Sequence, residues 1–104
     1  MSETFAQKVY VLTRQIPKGK VTTYSAIAQA LKIKGAARAV GNALNKNPFA
    51  PKVPCHRVIR ANGEVGGFAP GPKRKQAILK KEGIIITQGR IDLNKYGYQF
   101  KIKS

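Results

Sequence analysis

The chain has 104 residues, 42% of them hydrophobic, and carries 20 Lys and Arg against 4 Asp and Glu, a formal charge of +16. That length provides one core and excludes two independent domains, and apolar residues interspersed among the charges exclude a disordered polybasic tail. A field of this size calls for a polyanionic partner, of which nucleic acid phosphate is the commonest, ahead of a lysine-rich surface kept for solubility, where the two signs would be balanced.

Phe5, Val9, Leu12 and Ile16 recur at helical spacing and predict a helix from about Thr4 to Gln15, ended by IPKGK. In VTTYSAIAQAL, Thr22 or Thr23 is an N-cap, and Tyr24, Ile27, Ala28 and Leu31 share one face of a second short helix. GAARAVGNALNKNP gives a third, with Ala36 or Ala37, Val40, Ala43 and Leu44 inward and Pro48 marking its end. A tight turn near Gly35 makes helices two and three a helix-turn-helix. Beyond Cys55, RVIRANGEVGG contains β-prone runs around Asn62-Gly63, a dipeptide suited to a hairpin turn. APGPKRKQAILKKEG starts a further helix at a proline and caps it with Gly83, and the tail GIIITQGRIDLNKYGYQF reads as β-prone or irregular. The elements add up to a mostly helical α+β fold, a winged-helix-like helix-turn-helix domain with a short β-hairpin, spanning residues 1–104.

No stretch approaches the length of a membrane span, and MSETFAQKVYVLTRQ has no apolar run behind a basic one, so an intracellular protein of the cytoplasm or nucleoid is expected. One cysteine forms no internal disulfide, and Cys55 with His56 alone does not make a four-ligand zinc site. A thiol attacks as its thiolate, which nearby positive charge favours, and Lys52, His56 and Arg57 supply that charge around Cys55. Burial as a small hydrophobe is the competing reading, and composition leaves the two near even. In an extended VPCHRVI, His56 points away from Cys55, so a bridging water would carry the proton and a third group would hold the imidazole. Glu82 is a candidate for that group, although among its lysine neighbours it reads more simply as a surface carboxylate. Gly35, Ala36, Ala37, Ala39, Gly41 and Ala43 leave the third helix thin around Arg38, which suits either close approach to a duplex or tight helix packing. NGEVGGFAPG, with Phe68, is either a wall for a flat ring or a plain surface loop.

PCHRVI resembles the active-site motif of the 6-O-alkylguanine-DNA alkyltransferases (methylated-DNA-protein-cysteine methyltransferases). Tyr24, AARAVGNAL, NKNP, GGFAPG and Glu82 follow the family's order and intervals, so the resemblance runs roughly from Phe5 to Glu82. It implies that Cys55 accepts the alkyl group, with His56, a water and Glu82 drawing off its proton and Asn47 bracing the loop before the cysteine. It further implies that Tyr24 helps turn the nucleotide out and protonates the leaving guanine, while Arg38 fills the gap in the base stack. Ala36, Ala37 and Gly41 would join Arg38 and Tyr24 against DNA, here in the minor groove, and Val58, Phe68, Ala69 and Leu44 would line the pocket. The implied partner is double-stranded DNA containing alkylated guanine, met by a monomer that acts once and needs no cofactor. Family zinc sites lie in an additional N-terminal domain that most members carry, so no metal is expected. Alkyltransferase-like proteins, which bind alkylated guanine without repairing it, usually have tryptophan where this sequence has Cys55. Phe68 stands where many relatives have tyrosine, which removes a hydroxyl from the pocket wall. The rival function is a damage-recognition module that flips the base and recruits other repair factors without transfer; a Cys-His hydrolase or redox protein ranks below both.

Overall fold

The computed structural model describes residues 4–50, 52–66 and 71–100. Helix α1 (Phe5–Arg14) begins in a capping box: the Thr4 hydroxyl accepts from the Gln7 backbone N–H at 3.2 Å, and the Gln7 side-chain Oε1 accepts from the Thr4 backbone N–H at 2.8 Å. Strand β1 (Thr22–Thr23) runs straight into helix α2 (Tyr24–Ala30), because Thr23 caps it by accepting from the Ala26 amide at 3.0 Å. Helix α3 is Ala37–Asn45. The α2–α3 turn is a Schellman motif, with Ile33 donating to the Ala28 carbonyl at 3.1 Å and Lys32 to the Gln29 carbonyl at 2.9 Å. It places Lys32 at φ 61°, a left-handed conformation that usually goes to glycine.

Cys55–Arg57 form a single 3-10 turn that leads into strand β2 (Val58–Ile59). Of VPCHRVI, considered above as an extended stretch, the strand takes only the last two residues, because Pro54 and Cys55 carbonyls accept from the Arg57 and Val58 amides and wind the chain around the cysteine. Helix α4 (Pro72–Lys81) ends in a second Schellman motif, with Gly83 at φ 93° and Ile84 bonded back to the Leu79 carbonyl at 3.2 Å. The tail holds a one-turn helix, α5 (Leu93–Tyr96), capped by Asp92.

Strands β1 and β2 pair in parallel, Thr22 opposite Val58 and Thr23 opposite Ile59. The turn expected at Asn62-Gly63 does form, with Gly63 donating to the Arg60 carbonyl and Arg60 to the Glu64 carbonyl, both at 3.0 Å. Its outgoing arm bonds to the tail instead of extending the sheet: Val65 donates to Gly89 and Ile91 to Gly63. The tail also flanks β1, where Val21 donates to Tyr96 and Tyr98 returns a bond to Val21.

Two hydrophobic clusters lie on either side of this ribbon. The first gathers Val9, Ile16, Ile27, Val40, Leu44, Val53 and Val58 beneath α1, α2 and α3, with Tyr10 on α1 donating to the Ala43 carbonyl on α3 at 2.8 Å. The second gathers Val21, Ile59, Val65, Leu79, Ile84 and Ile91 under α4 and the tail. Val58 and Ile59 are adjacent and fully buried, yet face opposite clusters, as alternation along a strand demands. The segment carrying Cys55 and His56 is therefore the seam between the clusters, held from both sides.

Candidate active site

Cys55 opens the 3-10 turn half-buried, packed against the first cluster. The loop that delivers it is tied by Asn47, whose side-chain amide donates to the Val53 carbonyl at 2.8 Å while its oxygen accepts from the Phe49 amide at 2.8 Å. One side chain thus spans the stretch between α3 and the cysteine. Asn47→Ala removes one of the two bonds to the Val53 carbonyl, which keeps that from the Cys55 amide, along with the acceptor for the Phe49 amide, and is expected to cost about 1–3 kcal/mol. Urea unfolding would measure this, with Asn47→Asp, which sets a carboxylate oxygen against the Val53 carbonyl, expected to recover none of the loss.

His56 is 6% exposed and points toward α4, where its Nε2 lies 3.0 Å from Glu82 Oε2. A carboxylate only accepts, so Nε2 carries the hydrogen and Nδ1 is left as the base. Glu82 is not the surface carboxylate its neighbours suggested, since its side chain is 10% exposed. It occupies the C-cap of α4, where the helix dipole disfavours an acid, and the Arg57 guanidinium offsets that. Arg57 grips it with two arms, Nε to Oε1 at 3.0 Å and Nη2 to Oε2 at 2.6 Å, and its remaining arm donates to the Ile16 carbonyl at 2.9 Å. Gly83, in the left-handed region directly after Glu82, lets the chain turn away and leaves the carboxylate facing the 3-10 turn.

Burial pushes the Glu82 carboxyl upward, but hydrogen bonds from Arg57 and His56 and the charges behind them outweigh it, leaving it below the ordinary value of 4.5. Burial also dominates at His56, lowering it below 6.5 against the hydrogen bond and charge of Glu82. Near neutral pH the pair is thus a neutral imidazole held by a carboxylate, the arrangement of a base that can accept a proton.

Tyr24, the first residue of α2, is half-buried beside this turn, with burial first and the charge of a Cys55 thiolate second raising its phenol above 10.0. It therefore keeps its proton at neutral pH. Gly41 on α3 passes close to the Tyr24 ring, where a Cβ would make ordinary contact at 3.8 Å. Arg38 is exposed on α3, as are Ala39 and Asn42, whereas Ala37 and Gly41 are half-buried.

Ala36, expected against DNA, and Leu44, expected to line the pocket, both belong to the first hydrophobic cluster, at 8% and 5% exposure. The Val58 side chain is likewise fully buried, and its carbonyl is what reaches the site. Phe68 and Ala69 lie outside the described residues. Sequence reasoning placed Arg57 among the charges near Cys55 but missed its grip on Glu82, and it missed Lys75 altogether. Lys75 is 1% exposed and donates to the Val58 carbonyl at 2.7 Å. Its signal was its spacing, four residues before Leu79 and seven before Glu82, which sets all three on one face of α4.

The fold thus brings together a thiol on a turn, an imidazole bonded to a largely buried carboxylate, and a protonated phenol. The family described as 6-O-methylguanine DNA methyltransferase, DNA binding domain, matches residues 4–84, and the chain belongs to it. It is 45% identical over 82 residues to the methylated-DNA-protein-cysteine methyltransferase of Shigella flexneri, covering 79% of this chain and 48% of that protein. It is 43% identical over 90 residues to a bifunctional methyltransferase/endonuclease of Picrophilus torridus, covering 86% of this chain and 30% of that one. The chain thus spans about half or less of these curated relatives. Among solved structures it resembles S. pombe Atl1 in complex with damaged DNA containing O6-carboxymethylguanine, with a TM-score of 0.82, 33% identity, and coverage of 91% of this chain and 94% of that one. It also resembles Mycobacterium tuberculosis OGT in complex with DNA, with a TM-score of 0.75, 43% identity, and coverage of 80% and 51%.

Proposed function

We propose that this chain repairs DNA by taking the alkyl group of a 6-O-alkylguanine, flipped out of the duplex, onto Cys55, once per molecule. The observation that carries the reading is the His56–Glu82 pair: a neutral imidazole, oriented by a 3.0 Å bond to a buried carboxylate, immediately follows the sole cysteine of a chain from this family. His56 Nδ1 takes the thiol proton, through a water in this scheme. The thiolate attacks the alkyl carbon, an S–C bond forms, the C–O6 bond breaks, and the electron pair stays on guanine, which takes a proton from Tyr24. Water does not cleave the thioether product, so the protein is consumed.

Duplex binding rests on the charge of +16, on the exposed Arg38 of the helix-turn-helix, and on the two relatives solved on DNA. Arg38 is assigned to the space the flipped base leaves, and the affinity is expected to fall steeply with salt. A second reading, damage recognition without transfer, draws on the likeness to Atl1, the structure matched over nearly its whole length. The deciding experiment mixes the protein with a duplex containing one 6-O-methylguanine and records the intact protein mass and the modified peptide. One added methyl on Cys55 in a single stoichiometric burst supports repair. Tight binding with an unchanged mass would leave the damage-recognition reading.

A further inference from the structure

The helix-turn-helix exposes Lys32, Lys34 and Arg38 from the α2–α3 turn to the first turn of α3, a small share of a charge of +16. Another group of cations gathers at the far end of α4. Lys18 and Lys20 flank Gly19, where an added Cβ would lie 3.5 Å from the Glu82 carbonyl oxygen. The turn between α1 and β1 therefore abuts the last turn of α4, where Lys80 and Lys81 are exposed. Lys20 donates to the Lys95 carbonyl at 3.2 Å, which brings the exposed Lys95 of α5 to the same edge.

Among the described residues, no acid pairs with these lysines. Glu64 pairs with Arg60 and Arg90, Glu82 turns inward to Arg57 and His56, and Asp92 caps α5 by accepting from the Asn94 amide. The dipole of α4 presents about half a negative charge at this end, and Arg57 already stands there beside Glu82. Lysines converging from three segments exceed what the dipole offsets, so they repel one another until an anion is brought to them. The edge also lies behind the site. Gly41 of α3 passes the Tyr24 ring, and Lys75, 3.4 Å from the Tyr24 hydroxyl, sets the near end of α4 at the same place. From Lys75 to Glu82 the helix recedes by about 10 Å, and from Tyr24 back to Lys20 the extended chain recedes by about 13 Å. The two meet again at the Gly19–Glu82 contact.

Resting on the duplex binding proposed above, we propose that this lysine edge is a second nucleic acid site, which holds the phosphate backbone of another duplex while α3 holds the first. The protein then passes from one DNA segment to the next through a complex with both, without a free intermediate. Lysines on flexible stems meet phosphates as point charges and read no bases, so the edge takes undamaged DNA of any sequence. A duplex seated on α3 leaves the edge open, because α4 and β1 both run away from the Tyr24 end to reach it.

The test follows, by stopped-flow, release of the protein from a short fluorescent duplex as unlabelled duplex is raised. It compares the unaltered protein with the combined variant Lys18→Gln, Lys80→Gln and Lys81→Gln. Circular dichroism checks the fold of the variant, and the two proteins are run at salt concentrations that equalise their affinity for one duplex, so that a weaker overall field does not explain a difference. In the unaltered protein the release rate is expected to rise about fivefold or more as competitor goes from about 1 to about 50 μM, because the second duplex enters before the first leaves. In the variant the rate is expected to stay flat, set by unassisted dissociation from α3. Release independent of competitor in the unaltered protein, or an equal rise in the variant, would overturn the proposal while leaving the repair function standing. Absence of binding to a single duplex by the unaltered protein would remove both.

Discussion

Cys55→Ala is expected to abolish alkyl transfer completely while leaving binding to a 6-O-methylguanine duplex within about twofold. The side chain is half-buried and packs against the first hydrophobic cluster, so shortening it to a methyl removes one sulfur from a partly open position and leaves little cavity. The turn that carries it is held by the Pro54 and Cys55 carbonyls, by Asn47 through Val53 and by Arg57 through Glu82, none of which uses the sulfur. Release of unmodified guanine from DNA, followed by chromatography, and gel-shift binding measure the two quantities together. Loss of transfer with binding kept assigns the sulfur to chemistry. Any methyl lost from DNA in the presence of Cys55→Ala would end the assignment, because no second cysteine exists to receive it.

Glu82→Gln carries the second large effect, in both stability and rate. The amide keeps the shape of the carboxylate but loses its charge, leaving the Arg57 guanidinium, 16% exposed, without its two-armed partner. A cost of about 3 kcal/mol is expected from that loss, read by urea unfolding. Transfer should slow on the order of a hundredfold to a thousandfold, because the imidazole loses both the group that fixes its tautomer and the charge that stabilises its protonated form.

The pH dependence of stability separates the two partners. His56 is lowered below 6.5 in the folded protein, so the unfolded chain takes up this proton first, and stability drains away as pH falls below about 6.5. Glu82 is lowered below 4.5, so its contribution is present above that value and is lost as pH falls further. Thermal midpoints measured from pH 8 to pH 3 should therefore decline in two stages. In Glu82→Gln the later stage should shrink, and the earlier one should deepen, since only Glu82 holds the histidine up against burial, Arg57 and Lys75. A single decline, unchanged by the substitution, would contradict this coupling.

The helices and the family were legible in the sequence. Apolar spacing at Phe5, Val9, Leu12 and Ile16, and Thr23 ahead of Tyr24, specify α1 and the start of α2 through contacts three or four residues apart, which is the range over which a helix makes its bonds. Gly83 likewise announced the end of α4, because only the left-handed conformation closes that motif cheaply. PCHRVI carried the resemblance to the family to which the chain belongs, while the residues alone left Cys55 near even between a reactive thiol and a buried one.

The tertiary structure alone decided what surrounds Cys55 and His56. Two-residue strands have no period to read, so the parallel pairing of β1 with β2 and the docking of the tail on Val21 and Gly63 follow from which edges the packed clusters leave open. The 3-10 turn at Cys55 is closed by bonds within the motif, from the Arg57 and Val58 amides to the Pro54 and Cys55 carbonyls, and is tied to the rest of the fold by Asn47 through the Val53 carbonyl. Glu82 and Lys75 lie in a lysine-rich helix whose composition reads as solvated surface. A charge is buried or exposed according to what another segment brings against it, and here that segment, with Cys55, His56, Arg57 and the Val58 carbonyl, arrives from 17 to 26 residues earlier in the chain.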